Sequence, residues 1–299
     1  TATTKVLRDP YEKVALMKTA AIWMIIVLAL SVVFSGCSGA TVYKGTSAEI
    51  DALEPEQTTP DGDAEETVAA QYLLPAYDDA VPSLWETYAD AFRVGAAVNT
   101  DQLTENSAIY QTITKHYNVF VAENEMKPLY LNPSEGTFYF DAADRFVEFG
   151  ERVDAALRGH TLVWHSQTPA WWFEGEDGAP ATSEQLLERM ETYITEVVSR
   201  YKGRIQSWDV VNEVISDSGT GLRGEDESSQ YTAIIGDLDG DGNNSDYIEQ
   251  AFLFAHAADP DAQLIINEHS IEGNAAKLDA LYELIQSLLE KGIPVDGVG

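Results

Sequence analysis

Cysteine is nearly absent: Cys37 stands alone, so no intramolecular disulfide can form. Basic residues are scarce as well. Lys and Arg number 18 against 50 Asp and Glu, a formal net charge of -32 at pH 7. A surface this negative repels phosphate backbones, which argues against a nucleic-acid partner, and it keeps a chain soluble in salt. No G-x-G-x-x-G follows the first strand-like run, so dinucleotide binding has no support. No C-x-x-C or H-E-x-x-H is present to hold zinc. The long apolar run, Ala20 to Phe34, falls short of the ~20 residues a membrane span needs.

What is present divides into four segments. Residues 1–16 lack an initial Met, precede Met17 and are expected to be upstream translation rather than native protein. Residues 17–37 have a basic start at Lys18, a short hydrophobic stretch and the small-residue ending Ser35-Gly36-Cys37. That is the pattern of a secretory signal peptide. Its ending resembles a bacterial lipobox, with Phe34 where that pattern usually has Leu. The resemblance implies cleavage before Cys37 and a lipid on its sulfur. Residues 38–82, with EPEQTTPDGDAEE, are acidic and have no apolar period, so they are expected to be a disordered linker. Residues 83–299 carry the folded sequence. With 299 residues, 44% of them hydrophobic, the chain can build one large core.

From Ser83 onward, short β-rich runs alternate with longer stretches of helical period. The runs are FRVGAAVN, YNVFVAEN, HTLVWH, SWDVVNE, LIINEHS and the final VDGVG. The clearest helix is SEQLLERMETYITEVVSRYKG. Leu186, Leu187, Met190, Ile194, Val197, Val198 and Tyr201 recur there at steps of three and four. Ser183 is its expected cap, and Gly203 follows its end. Such alternation predicts an α/β fold of parallel strands with right-handed crossovers. An open doubly wound sheet and a (β/α)8 TIM barrel both satisfy it. Polar and aromatic residues collect at the C-terminal ends of successive runs: Asn99, Glu123-Asn124, Trp164-His165, Asn212-Glu213 and Asn267-Glu268. A barrel builds its site on that face, which favours the barrel.

A site of carboxylates, amides, His and Trp suits a neutral polyhydroxylated ligand, because indole faces stack on sugar rings while amides and acids bond hydroxyl groups. GHTLVWHSQTPAWW supplies three tryptophans and two histidines. His160 and His165 differ by an odd number, so on a regular strand they face opposite ways, and hydrogen bonding inside a barrel is the preferred reading over metal. No cofactor is expected. WDVVNE places the amide Asn212 beside the acid Glu213, and both can serve one ligand only if the strand bends there.

Taken together, FRVGAAVN, the Glu-Asn-x-x-Lys of ENEMK, GHTLVWHSQTPAW, WDVVNE and the fifth-strand INE resemble glycoside hydrolase family 10, mostly endo-1,4-β-xylanases. The resemblance covers residues 83–299, the N-terminal two-thirds of that catalytic domain. It implies a (β/α)8 barrel that cleaves xylan with retention. It assigns the acid/base role to Glu213 and a bond to a sugar 2-hydroxyl to Asn212. It assigns glycone-side contacts to Glu123, Asn124 and Lys127, with His160, Trp164 and Gln167 lining the same subsites. A general acid must still hold its proton near neutral pH, which the strand end is expected to favour.

The departures are as informative. Retention needs a nucleophilic carboxylate roughly 5–5.5 Å from the acid, which the family carries on its seventh strand. This chain reaches only about the sixth, so the barrel is expected to be incomplete here, without its nucleophile and inactive as it stands. The family's fifth-strand Asn-Asp-Tyr-Asn reads Asn267-Glu268-His269-Ser270, so no aglycone role is transferred. In DLDGDGNNSDYIE, Asp237, Asp239 and Asp241 alternate before Gly242 as in half an EF-hand loop. The twelfth position is Ile248, so the preferred reading is a polar loop with Asp246 capping the next helix. The expected protein is an exported, lipid-anchored or extracellular monomer that acts on xylan. The alternatives are a relative cleaving another β-linked glycan and a surface glycan-binding lipoprotein without catalysis.

Overall fold

Six short strands form one parallel sheet in the order of the chain: β1 (Gly95–Val98), β2 (Val119–Ala122), β3 (Ala156–Trp164), β4 (Ser207–Asn212), β5 (Gln263–Asn267) and β6 (Gly297–Val298). The computed structural model describes residues 78–299, so the leader, Cys37 and the linker as far as residue 77 lie outside the described residues. Within the expected linker, the carbonyls of Asp78 and Asp79 accept bonds from Lys115 Nζ at 3.2 and 2.7 Å.

The register brings the strand ends together. Val98 pairs with Ala122, Trp164 with Asn212, Asn212 with Asn267, and Ile266 with Val298. Helices fill the connections. α1 (Leu84–Thr87) precedes β1, α2 (Ala108–His116) comes between β1 and β2, and α3 (Pro128–Leu131) and α4 (Asp141–Arg152) come between β2 and β3. The later connections carry α5 (Ser183–Arg200), α6 (Tyr231–Ile235), α7 (Asp246–Ala258) and α8 (Ala275–Glu290). This is an incomplete (β/α)8 barrel. Strands covered on both faces need near-continuous apolar sequence, and in β4 every residue from Trp208 to Asn212 is buried.

α5 shows why the helices stay. Leu186, Met190, Tyr193, Ile194, Val197 and Val198 are buried, and each such burial contributes roughly 1.5–3 kcal/mol. Its opposite face is Glu, Thr, Ser and Arg, and it packs on α7. The cap differs from expectation by one residue. Thr182 is the N-cap and shares a capping box with Gln185, while Ser183 is already helical. Thr182 wins because Gln185 stands three residues later and returns the bond. β3 begins four residues before the expected HTLVWH run. At Gly159 within it, a Cβ would lie 2.1 Å from the Trp208 ring, so only glycine lets that indole cover the strand. Among the described residues no helix is long and apolar enough to cross a membrane.

Candidate active site

The centre of the site is where β4 stops. Asn212 ends the strand, and Glu213 turns into the left-handed region at φ 56°. That conformation costs a non-glycine residue about 1–3 kcal/mol and persists only where surroundings hold it. It supplies the bend that neighbouring side chains need to serve one ligand. The registers of β3 on β4 and of β4 on β5 also shift, between His160 and Val163 and between Asp209 and Val211.

Glu213 keeps its N–H in the ladder, donating to Asn267 O at 2.9 Å. Its Oε2 accepts from Trp164 Nε1 at 2.9 Å, with His165 Nε2 3.9 Å away. The carboxyl borders a small cavity lined also by Ser229, Tyr231 and Tyr247, and its side chain remains 21% exposed, so a ligand can reach it. Burial, then the charge of Arg223, pulls the His165 imidazole below its ordinary value, with the charge of Glu213 opposing. Asn212 is buried, and its Oδ1 accepts from Asn267 Nδ2 at 2.7 Å.

A second cluster follows β2. The Lys127 ammonium donates to Asn124 Oδ1 at 3.0 Å and to Gln167 Oε1 at 2.8 Å, and lies 5.0 Å from the centre of the Trp164 ring. Burial lowers its pKa, opposed by the charges of Glu123, Glu213 and Glu125. Glu123 is exposed at the strand end. The residues singled out in ENEMK, in GHTLVWHSQ and at Asn212-Glu213 therefore share one face. His160 stands deeper, its Nδ1 2.8 Å from Asp209 Oδ2. The shifted register of β3 breaks the parity that would separate the two histidines, and both rings flank Trp164, at centroid distances of 6.3 and 5.9 Å. Neither histidine belongs to a group of three metal-ligating side chains among the described residues.

Three charged residues of the site, Asp209, Glu125 and Arg223, were missed by sequence reasoning, and Glu268 was placed at a strand end without a role. Asp209 is buried within β4 and binds Arg158 Nε at 2.9 Å as well as His160. An acid in mid-strand was its signal. Glu125 is buried and accepts from Thr100 N at 2.6 Å, Thr100 Oγ1 at 2.9 Å and Asn124 N at 3.1 Å. Burial pushes its pKa up, but these bonds outweigh that and hold it below the carboxylate range. Glu268, fully enclosed, turns inward to Lys277 at 3.0 Å and to Ile215 N at 2.9 Å. Arg223 offers no signal, being one Arg in a Gly-rich loop.

The acidic insertion is arranged differently from the expectation. Asp237, Asp239 and Asp246, rather than Asp241, place carboxylate oxygens within 4.8 Å of one another. Asp241 instead pairs with Lys291 at 2.7 Å, and the same ammonium binds Asp239 at 2.9 Å and Glu249 at 2.7 Å. A cation of the chain itself thus occupies the loop. Burial opposes the charge of Lys291, yet bonds to Asp241, Glu249 and Asp239 raise its pKa above the ordinary range. Asp246 is the first residue of α7 and not its cap: Ser245 precedes it, and Asp246 accepts from Leu238 N at 3.2 Å.

Comparison with known proteins gives the family. The profile of Glycosyl hydrolase family 10 matches residues 83–299. The chain is 45% identical over 226 residues to Endo-1,4-beta-xylanase C of Paenibacillus barcinonensis, covering 75% of this chain and 21% of that protein. It is 41% identical over 227 residues to Exoglucanase XynX of Acetivibrio thermocellus, covering 73% of this chain and 20% of that protein. The solved structure of a GH10 protein from Paenibacillus barcinonensis superposes with a TM-score of 0.71 at 46% identity, covering 73% of this chain and 62% of that one. The chain thus spans about a fifth of the length of these two curated relatives.

Proposed function

The chain belongs to glycosyl hydrolase family 10, and from this we infer that it carries the proton-donor half of an endo-1,4-β-xylanase site. The observation that carries the reading is Glu213 itself: a reachable carboxyl at a strand end, on a left-handed turn and anchored on one oxygen. Trp164 donates to Oε2, so in the acid form the proton sits on Oε1, free to pass to a glycosidic oxygen. Because Asn212 Oδ1 is taken by Asn267, its amide N–H groups are left to bond a sugar hydroxyl. Lys127, Asn124, Gln167 and the Trp164 ring form the hydrogen-bonding and stacking wall for the glycone side.

In the retaining route, Glu213 first protonates the departing oxygen while a second carboxylate attacks C1. It then removes a proton from the water that hydrolyses the glycosyl-enzyme. That second carboxylate is expected from the seventh strand of a family barrel. The same proposal includes export on the 17–37 leader and lipidation of Cys37. If so, Cys37→Ala releases the protein from the detergent phase or leaves the precursor uncleaved, and equal partitioning of mutant and parent overturns it.

The deciding experiment is Glu213→Ala in a chain carrying the remaining barrel strands. Cleavage of xylan should collapse, because its leaving group needs a proton. Formation of the covalent intermediate from a nitrophenyl glycoside should survive, and a small anion should restore turnover in the emptied space. Equal loss on all substrates with no rescue would sink Glu213 as acid/base. The relative named an exoglucanase favours a second reading, in which the substrate is a β-linked glucan. Parallel assays on xylan and on β-1,4-glucan separate the two.

A further inference from the structure

The main chain around Glu213 is held by an unusual concentration of partners. Beyond the ladder bond from Glu213 N, three successive carbonyls are taken by one residue, Arg223. Its Nε donates to Glu213 O at 2.9 Å, its main-chain N to Val214 O at 2.7 Å and its Nη2 to Ile215 O at 3.2 Å. Ile215 N in turn donates to the enclosed Glu268 at 2.9 Å.

One residue can span three carbonyls because the chain folds back on itself. Ile215 bridges Leu222 in antiparallel fashion, and Ser216 N donates to Gly221 O at 2.9 Å. The Arg223 main chain therefore runs beside Val214, and its side chain crosses to the carbonyls on either side. The guanidinium is almost wholly buried, and its remaining N–H groups meet Asp217 at 2.7 Å and Glu227 at 3.2 Å. Glu227 also accepts from Asp217 N at 3.0 Å, so both anions are themselves tied to the hairpin.

We propose that Arg223 is the positioning residue of the proton donor: by holding the left-handed turn at Glu213 it aims the carboxyl at the glycosidic oxygen. The inference rests on the reading of Glu213 as the acid/base. Successive side chains on a strand point to opposite faces. If Glu213 relaxed to extended geometry, its carboxyl would leave the face it shares with Asn212, and its carbonyl would swing off the guanidinium. A planar fork with fixed N–H directions can hold carbonyls 213 and 215 and two carboxylates at once. An ammonium, a single point of charge, cannot. Arg223 bonds Glu213 at its carbonyl, whereas the Glu213 Oε2 accepts from Trp164. Its hold on the proton donor is thus through the main chain, although its charge also reaches His165.

This separates a positioning role from a merely structural one. A structural defect lowers the amount of working enzyme and scales every substrate alike. A misplaced acid penalises only substrates whose leaving group needs the proton. The test compares kcat/KM, which reports formation of the covalent intermediate, for a xylo-oligosaccharide and for a dinitrophenyl xylobioside. It uses the full-length protein carrying the remaining strands, with Glu213→Ala as reference. Arg223→Met should lower the first about 100-fold and the second less than about threefold, since a displacement of about 1 Å at a reacting group costs that much. Arg223→Lys should fall between. The ratio of the two constants does not depend on the folded fraction, so poor folding of either variant cannot imitate the effect. If Glu213→Ala discriminates between the substrates and both Arg223 variants do not, the positioning role is overturned while the acid/base reading stands. If Glu213→Ala itself shows no discrimination, the acid/base reading fails and this inference falls with it.

Discussion

Lys277 and Glu268 form an ion pair of 3.0 Å whose side chains are only 1% and 0% exposed. They join the end of β5 to the start of α8, and Glu268 also accepts from Ile215 N and from His269 N. Breaking a buried pair strands the remaining charge without solvent. Lys277→Met should therefore destabilise by about 3–5 kcal/mol. Adding Glu268→Gln should recover part of that loss, because a neutral amide is less costly to bury. Denaturant midpoints of the two single variants and the double variant measure the coupling. A double variant whose loss is the sum of the single losses contradicts it.

Asp217 gives the same region a pH dependence. Its bond to Arg223 holds its carboxyl at about 2, against the opposing effect of burial and with a smaller contribution from Lys277. A carboxylate depressed in the folded state contributes stability above its unfolded value and loses it as pH falls through the folded one. The parent should thus be more stable than Asp217→Asn at neutral pH, and the gap should close between about pH 4 and about 2. Melting temperatures of both proteins across that range are the measurement, and a gap that stays constant to pH 2 contradicts the assignment.

Lys127 has three N–H groups and gives two of them to Asn124 and Gln167. The third can meet a sugar hydroxyl. Losing a charged donor costs about 1.5–3 kcal/mol, or roughly 10–100-fold in affinity. Calorimetric titration of Lys127→Met with a xylo-oligosaccharide should show that weakening. Unchanged affinity removes Lys127 from the glycone wall.

In the acidic insertion, Lys291 bridges Asp239, Asp241 and Glu249. Carboxylates already neutralised by a tethered ammonium gain little from a divalent ion. The melting temperature should be the same in calcium and in chelator. A clear rise with calcium would show that the ion displaces Lys291.

How far the sequence reached follows from the range of the forces involved. Helical period and β-branched runs report local burial, so α5, α7, α8 and the six strands were legible, and so was the parallel order that alternation implies. ENEMK, GHTLVWHSQ and WDVVNE marked the face that carries Lys127, Trp164 and Glu213. Local rules alone misplaced the caps by one residue at Ser183 and Asp246; at the first, the reciprocal bonds of Thr182 and Gln185 decided. What only the tertiary structure decided is the company each charge keeps. Asp209 meets Arg158, Glu268 meets Ile215, and Lys291 reaches Asp239 across about fifty residues of chain. Only the fold brings such groups together, and where it buries them, as at Asp209 and Glu268, it also removes the water that would screen their bonds.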